Sequence, residues 1–133
     1  MPPQPIVLID DDQPWTQATA DFLRMEGFEV QTAEDGERGL ELLEGTMPLL
    51  VILDAHLPRL GGLEVLRELR QHDLQLPVLM VSADDRSALM NQAMGAGASA
   101  FLRKPVAGGL LLRAIRRLTP GTPVGERATH RGP

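Results

Sequence analysis

The chain contains no cysteine, no tyrosine, a single tryptophan and three phenylalanines. Without cysteine there is no disulfide scaffold and no thiolate metal or redox centre. With aromatic residues at 3%, any interior has to be filled by aliphatic side chains. Long apolar runs are missing too. The longest candidate, residues 49–53, is strand-sized against the ~20 residues of a membrane-spanning helix. The opening Met1-Pro2-Pro3-Gln4-Pro5 lacks the basic and apolar regions of a secretory signal. Positive charge is in deficit: the formal net charge of −5 argues against nucleic-acid binding by this segment, because such surfaces are normally basic. What is present suits one domain, since 133 residues with 43% apolar content can build a proper core and exclude a disordered chain. These features describe a soluble, cytoplasmic protein with no membrane partner.

Five short apolar runs alternate with helix-like stretches. The predicted strands cover residues 6–9, 28–32, 49–53, 78–81 and 100–102. Three of them are continuous rather than alternating, the pattern of strands covered on both faces. The predicted helices cover 13–26, 37–44, 63–72, 86–94 and 110–118. In the first, Trp15, Ala18, Phe22 and Met25 fall on one face, Pro14 lies in the first turn and Gly27 is a stop. The last helix is expected to start late or fray, because Gly108 and Gly109 each cost ~1 kcal/mol relative to alanine inside a helix. A strand–helix unit repeated five times predicts an α/β fold, a doubly wound parallel sheet with helices on both faces. Residues 119–133 lose the periodicity and gain proline and glycine, as a flexible tail or the start of an interdomain linker would.

In such sheets ligands bind outside the carboxyl ends of the strands. The residues there are Asp10, Asp11 and Asp12 after the first run, Asp54 after the third, Ser82 after the fourth and Lys104 past the fifth. Two carboxylates ~4 Å apart repel by ~4 kcal/mol at an effective dielectric of 20, so convergence of three calls for a cation. An all-oxygen donor set suits Mg²⁺ or Mn²⁺. Lys104 adds positive charge and Ser82 a hydroxyl donor. A carboxylate nucleophile, a metal, a cation and a donor together describe phosphoryl transfer through an aspartyl phosphate. Asp12, ahead of Gln13-Pro14, is read instead as a helix cap.

Four motifs in order then resemble one family. They are Ile-Val-Leu-Ile-Asp10-Asp11-Asp12, Val-Ile-Leu-Asp54-Ala-His-Leu-Pro58-Arg-Leu-Gly-Gly62, Val-Ser82-Ala83, and Gly97-Ala98-Ser-Ala-Phe101-Leu-Arg-Lys104-Pro105. Over residues 5–118 the chain resembles the receiver domain of bacterial two-component response regulators. The resemblance implies a three-layer flavodoxin-like (βα)5 fold with strand order 2-1-3-4-5. It implies that Asp54 accepts phosphate from the phosphohistidine of a sensor kinase or phosphotransfer protein. Asp11, Asp54 and the His56 backbone carbonyl would hold Mg²⁺, with Asp10 acting through water. Lys104 would pair with the phosphoryl group or with Asp54, and Ser82 and Phe101 would be the switch residues. The Lys104-Pro105 peptide is expected to be cis. The output surface, and the route to a homodimer, would be the fourth helix, fifth strand and fifth helix.

The chain departs from the family pattern in places. Gly61 replaces the usual Asp ahead of the third helix, Ser82 the commoner Thr, Phe101 the commoner Tyr, and Val106 the usual Phe. His56 and Asp84 each stand two residues past a motif residue and are candidates for setting phosphate lifetime. Arg113, Arg116 and Arg117 read most simply as a solvated helix face. Leu110 stands where the winged-helix DNA-binding regulators carry an acid, so the output is not named. Three rival readings remain at this point. A haloacid-dehalogenase-type phosphatase would use Asp10 as nucleophile but leaves Asp54 unexplained and has only Glu126 as an acid after Lys104. A flavodoxin would need a hydroxyl-rich loop where three acids stand. A degenerate receiver would act only as a binding scaffold, although no acceptor, acid or lysine is missing.

Overall fold

The computed structural model describes residues 4–121. Most of the expected tail, residues 122–133, lies outside the described residues. Ten elements alternate: β1 (Ile6–Ile9), α1 (Gln13–Met25), β2 (Val30–Ala33), α2 (Gly36–Glu44), β3 (Leu50–Asp54), α3 (Gly62–His72), β4 (Val78–Ser82), α4 (Ser87–Gly95), β5 (Ala100–Arg103) and α5 (Gly108–Leu118). Every strand pairing is parallel and the order is β2-β1-β3-β4-β5, as the α/β reading expected.

The continuous apolar runs explain the layering. Every residue of β1, β3 and β4 is buried, so each strand feeds two cores at once. Val7, Ile9, Val51, Leu53, Val78 and Met80 face one cluster, closed by Val65, Leu66 and Leu69 of α3 and by Leu89 and Ala93 of α4. Ile6, Leu8, Leu50, Ile52, Leu79 and Val81 face the other, closed by Ala20 and Leu23 of α1 and by Leu111 and Ile115 of α5. Each fully buried aliphatic side chain contributes ~1.5–3 kcal/mol by leaving water. The order in which successive strands are added reverses between β1 and β3, which opens a crevice at their carboxyl ends.

Three local expectations need correction. The second strand is Val30–Ala33 rather than 28–32, with Phe28 buried just ahead of it. The inward face of α1 carries Thr16, Thr19, Ala20 and Leu23, not the stripe through Ala18 and Met25. These small side chains face the sheet, where α1 lies against β2, and the Thr16 hydroxyl reaches the Asp10 carbonyl at 3.5 Å. The bulky Trp15 and Phe22 are displaced to the flanks, and Met25 is exposed.

The third correction concerns α5, which begins at Gly108 and does not start late. A Cβ at Gly108 would lie 2.6 Å from Cζ of Phe22, so glycine there is a condition of close packing against α1. Gly109 faces open space. The tightest glycine is Gly62 at the start of α3, whose Cβ would lie 2.1 Å from the Asp54 carbonyl oxygen and 2.7 Å from Cα of Ala55. Both obstacles are backbone and cannot swing aside. Gly62→Ala is therefore expected to destabilise by about 3 kcal/mol in urea unfolding, whereas Gly109→Ala stabilises by ~0.5 kcal/mol. Equal midpoints for the two variants would contradict the packing described.

Candidate functional site

The loops at the carboxyl edge continue the sheet's order for one further residue. Asp10 donates its N–H to the Ala33 carbonyl (3.1 Å), Ala55 to that of Val81 (2.9 Å) and Lys104 to that of Ser82 (2.8 Å). With Ile9 registered against Leu53, the next residues, Asp10 and Asp54, stand side by side. Asp54 and Ser82 are the last residues of β3 and β4. The loop after Asp54 is fixed by the close seat of Gly62 and by Arg59, which adopts a left-handed conformation (φ 63°). Its guanidinium bridges to Asp35 at 3.0 Å and Glu37 at 3.5 Å on the start of α2. Where the family pattern has an acid, Gly61 has no side chain to cap α3, but Glu64 accepts its N–H at 2.9 Å and closes half of a capping box.

Asp10, Asp11 and Asp54 each offer a carboxylate oxygen within 4.8 Å of the other two. Asp10 is fully buried and Asp54 is 6% exposed, while Asp11 faces solvent. Lys104 reaches in from the far side, its Nζ 2.7 Å from Oδ2 of Asp10 and 3.7 Å from Oδ2 of Asp54. Nζ also lies 4.5 Å from the centre of the Trp15 ring. Oδ1 of Asp10 accepts the Asp12 N–H at 2.9 Å. Oδ2 meets Lys104 as a charge contact only, with no aligned hydrogen bond. As expected, Asp12 caps α1, accepting the Trp15 N–H at 3.2 Å.

Burial pushes the Asp54 carboxyl up to about 6, and the neighbouring charge of Asp10 pushes the same way. The His56 N–H, which donates to Asp54 Oδ1 at 3.1 Å, and the Lys104 charge oppose the rise without cancelling it. Three carboxylates against one ammonium leave the cluster with two surplus negative charges in a crevice where each close pair is worth several kcal/mol. The donor set is all oxygen, and buried Asp10 Oδ2 has no aligned donor. Those features fit a small hard dication such as Mg²⁺.

The other predicted residues surround this cluster. Ser82 is fully buried, and its Oγ accepts the Asp84 N–H at 3.0 Å. Phe101 is half-buried on β5, registered against Met80 and packed on the first core cluster. His56 and Asp84 are joined, with Nε2 2.9 Å from Oδ2. The Arg86 guanidinium grips Asp84 as well and, with its backbone N–H and His56, holds that carboxyl well below the usual range. The Lys104-Pro105 peptide is cis, as the resemblance implied. Sequence reading missed Arg86 and Arg59, whose partners come from turn geometry. It also placed Trp15 in the core, although a lone tryptophan one turn into the helix after three acids was a signal.

Comparison with known proteins identifies the family. The family model described as the response regulator receiver domain matches residues 6–116. The chain belongs to that family and is the receiver domain of a two-component response regulator, a signalling protein. It is 38% identical over 130 residues to the response regulator MprA of Mycolicibacterium vanbaalenii, covering 95% of this chain and 56% of that one. It is 40% identical over 118 residues to the transcriptional activator protein ExaE of Pseudomonas putida, covering 87% and 55%. The chain thus spans about half the length of these curated relatives. Among solved structures, the receiver domain of NtrX from Brucella abortus superimposes with a TM-score of 0.83 at 31% identity, covering 88% of this chain and 99% of that one. A CheY-like receiver domain protein from Methanospirillum hungatei gives 0.83 at 28%, covering 87% and 93%. Membership of the receiver family displaces the phosphatase and flavodoxin alternatives. Among the described residues, no helix is long and apolar enough to cross a membrane.

A pH dependence follows from Asp54. Its folded-state value near 6 lies above the ordinary 3.8, so between those values the folded protein holds more protons than the unfolded chain. Stability is therefore full below about pH 4 and falls as pH rises through 6, by an amount on the order of 3 kcal/mol. Without divalent metal, Asp54→Asn is expected to remove most of that slope in urea unfolding from pH 4 to 7.5, and to be the more stable protein at pH 7.5. A variant as steep as the parent would show that Asp54 is not the strained group.

Proposed function

We propose that this chain is a cytoplasmic phosphoacceptor switch in which Asp54 takes a phosphoryl group from a phosphohistidine on a sensor kinase or phosphotransfer protein. The observation that carries the reading is the buried Asp54 carboxylate flanked by Asp10, Asp11 and Lys104 at the sheet's switch point. Asp54 in its ionised form attacks phosphorus. An Asp54 O–P bond forms as the P–N bond to the donor imidazole breaks, and the imidazole leaves with the electron pair of that bond. Asp11, Asp54 and the His56 carbonyl would hold Mg²⁺ (Mn²⁺ is the alternative), with Asp10 acting through water. That ion supplies charge neutralisation for the phosphoryl oxygens and Lewis-acid polarisation of phosphorus. Lys104 offers the positive charge nearest to Asp54 and would move its ion pairing to a phosphoryl oxygen. Ser82 gives up the hydroxyl contact with the Asp84 N–H and donates to another.

The acyl phosphate adds roughly two negative charges to a site already short of positive charge. Ser82 and Lys104 gain contacts in the phosphorylated form alone, and this differential binding shifts a two-state equilibrium. Phe101, half-buried beside β4, would turn inward as Ser82 moves. The responding surface is α4, β5 and α5, where Met90, Met94 and Leu110 are exposed apolar residues suited to an output partner or a second receiver. The bridge between His56 and Asp84 joins the acceptor's own loop to the loop after β4, and it would shield the acyl phosphate from water.

Acetyl phosphate with Mg²⁺ should add one phosphoryl group to the parent and none to Asp54→Asn, as read by intact mass. Mg²⁺ alone should stabilise the parent by about 1.4 kcal/mol at ten times its dissociation constant. Label on the Asn variant would remove Asp54 from the role. His56→Asn and Asp84→Ala are expected to lose phosphate several-fold faster than the parent, and unchanged lifetimes in both would discard the shielding bridge.

A further inference from the structure

Lys104 has a third neighbour that plays no part in the chemistry above. Its ammonium lies 4.5 Å from the centre of the Trp15 ring, inside the ~6 Å range over which an aromatic face attracts a cation. The two side chains come from different elements, Trp15 from the first turn of α1 and Lys104 from the loop after β5. We propose that Trp15 is a positioning residue for Lys104. Its indole face and the carboxylates of Asp10 and Asp54 form a three-sided cage that holds the ammonium ready for the incoming phosphoryl group.

Three observations carry this assignment. The first is that the Lys104 side chain is only 11% exposed, so little water competes with the ring for its charge. The second is that its contact with Asp10, although 2.7 Å long, is not an aligned hydrogen bond, so bond direction alone does not fix the ammonium. A ring on the other side supplies the missing restraint. The third is that the ring itself is held. The half-buried indole packs on the cluster formed by α1, α5 and the sheet, and the Trp15 backbone N–H, donating to the Asp12 cap at 3.2 Å, anchors the helix turn that carries it. An aliphatic residue at position 15 would fill the same wall but would leave the ammonium with carboxylates alone.

The inference rests on Asp54 being the phosphoacceptor, and the test separates the two claims. Because Trp15 is the only tryptophan, growth of a tryptophan auxotroph on mono-, di- and trifluorinated tryptophan alters this residue alone. Fluorination weakens the π face in steps while nearly preserving ring shape. Two quantities are measured across the series: the rate of phosphoryl uptake from acetyl phosphate with Mg²⁺, and the thermal midpoint without metal. The expected result is a graded fall in rate, reaching about tenfold, with midpoints that fall in the same order. In a Lys104→Met background the midpoints should no longer depend on fluorine. A flat series, faster uptake, or the same midpoint trend in the Lys104→Met background would overturn the assignment and leave Trp15 as packing. If the unfluorinated parent takes up no phosphoryl group, the phosphoacceptor reading fails, while the two midpoint series still decide the ring–ammonium contact.

Discussion

The structure turns on the repulsion among carboxylates at the carboxyl edge of β1 and β3. Asp10 and Asp54 stand at adjacent positions on paired parallel strands, and both are taken out of water. Nothing in the hydrophobic effect favours such an arrangement. It persists because the strands leading to it are buried along their whole length, so the two apolar layers fix where the chain ends of β1 and β3 must lie. The sheet can therefore impose a local electrostatic cost that a less complete core would relax by moving apart. Burial raises the Asp54 carboxyl for the same reason that a small dication or a phosphoryl group with its counter-charges fits there.

The opposing charge enters from one direction only. Lys104 follows β5 and is tied by its own N–H to the end of β4, so the fourth and fifth strands are mechanically part of the site although neither contributes a carboxylate. Ser82 sits at that same strand end with its hydroxyl engaged by the Asp84 N–H. Under the proposed function, a change in what Lys104 or Ser82 binds would reach β4 and β5 first, because both side chains stand at the ends of those strands. In the proposed switch, this placement would link the charge at Asp54 to the exposed apolar residues of α4 and α5.

Much of this was legible in the residues. Continuous apolar runs such as Ile6-Val7-Leu8-Ile9, each halted by an acid, a serine or a Lys-Pro step, define buried parallel strands and place the chemistry at their ends. The errors came where tertiary packing overrides local pattern. Trp15, Ala18, Phe22 and Met25 make a plausible helical stripe, yet the face of α1 turned to the sheet carries threonine, alanine and Leu23, and the larger residues stand aside. Gly108 looked like a weak helix start by propensity, whereas the Phe22 ring occupies the space a side chain would need. The His56–Asp84–Arg86 chain and the bridge from Arg59 to α2 depend on turns that bring distant residues together, and no periodicity announces them.

The absence of tyrosine and the single indole have an experimental consequence. Excited beyond the phenylalanine band, this polypeptide emits from one place, against the Lys104 ammonium of the reactive rim. Unlabelled protein therefore carries its own optical gauge of that rim, with no phenol signal from elsewhere to subtract.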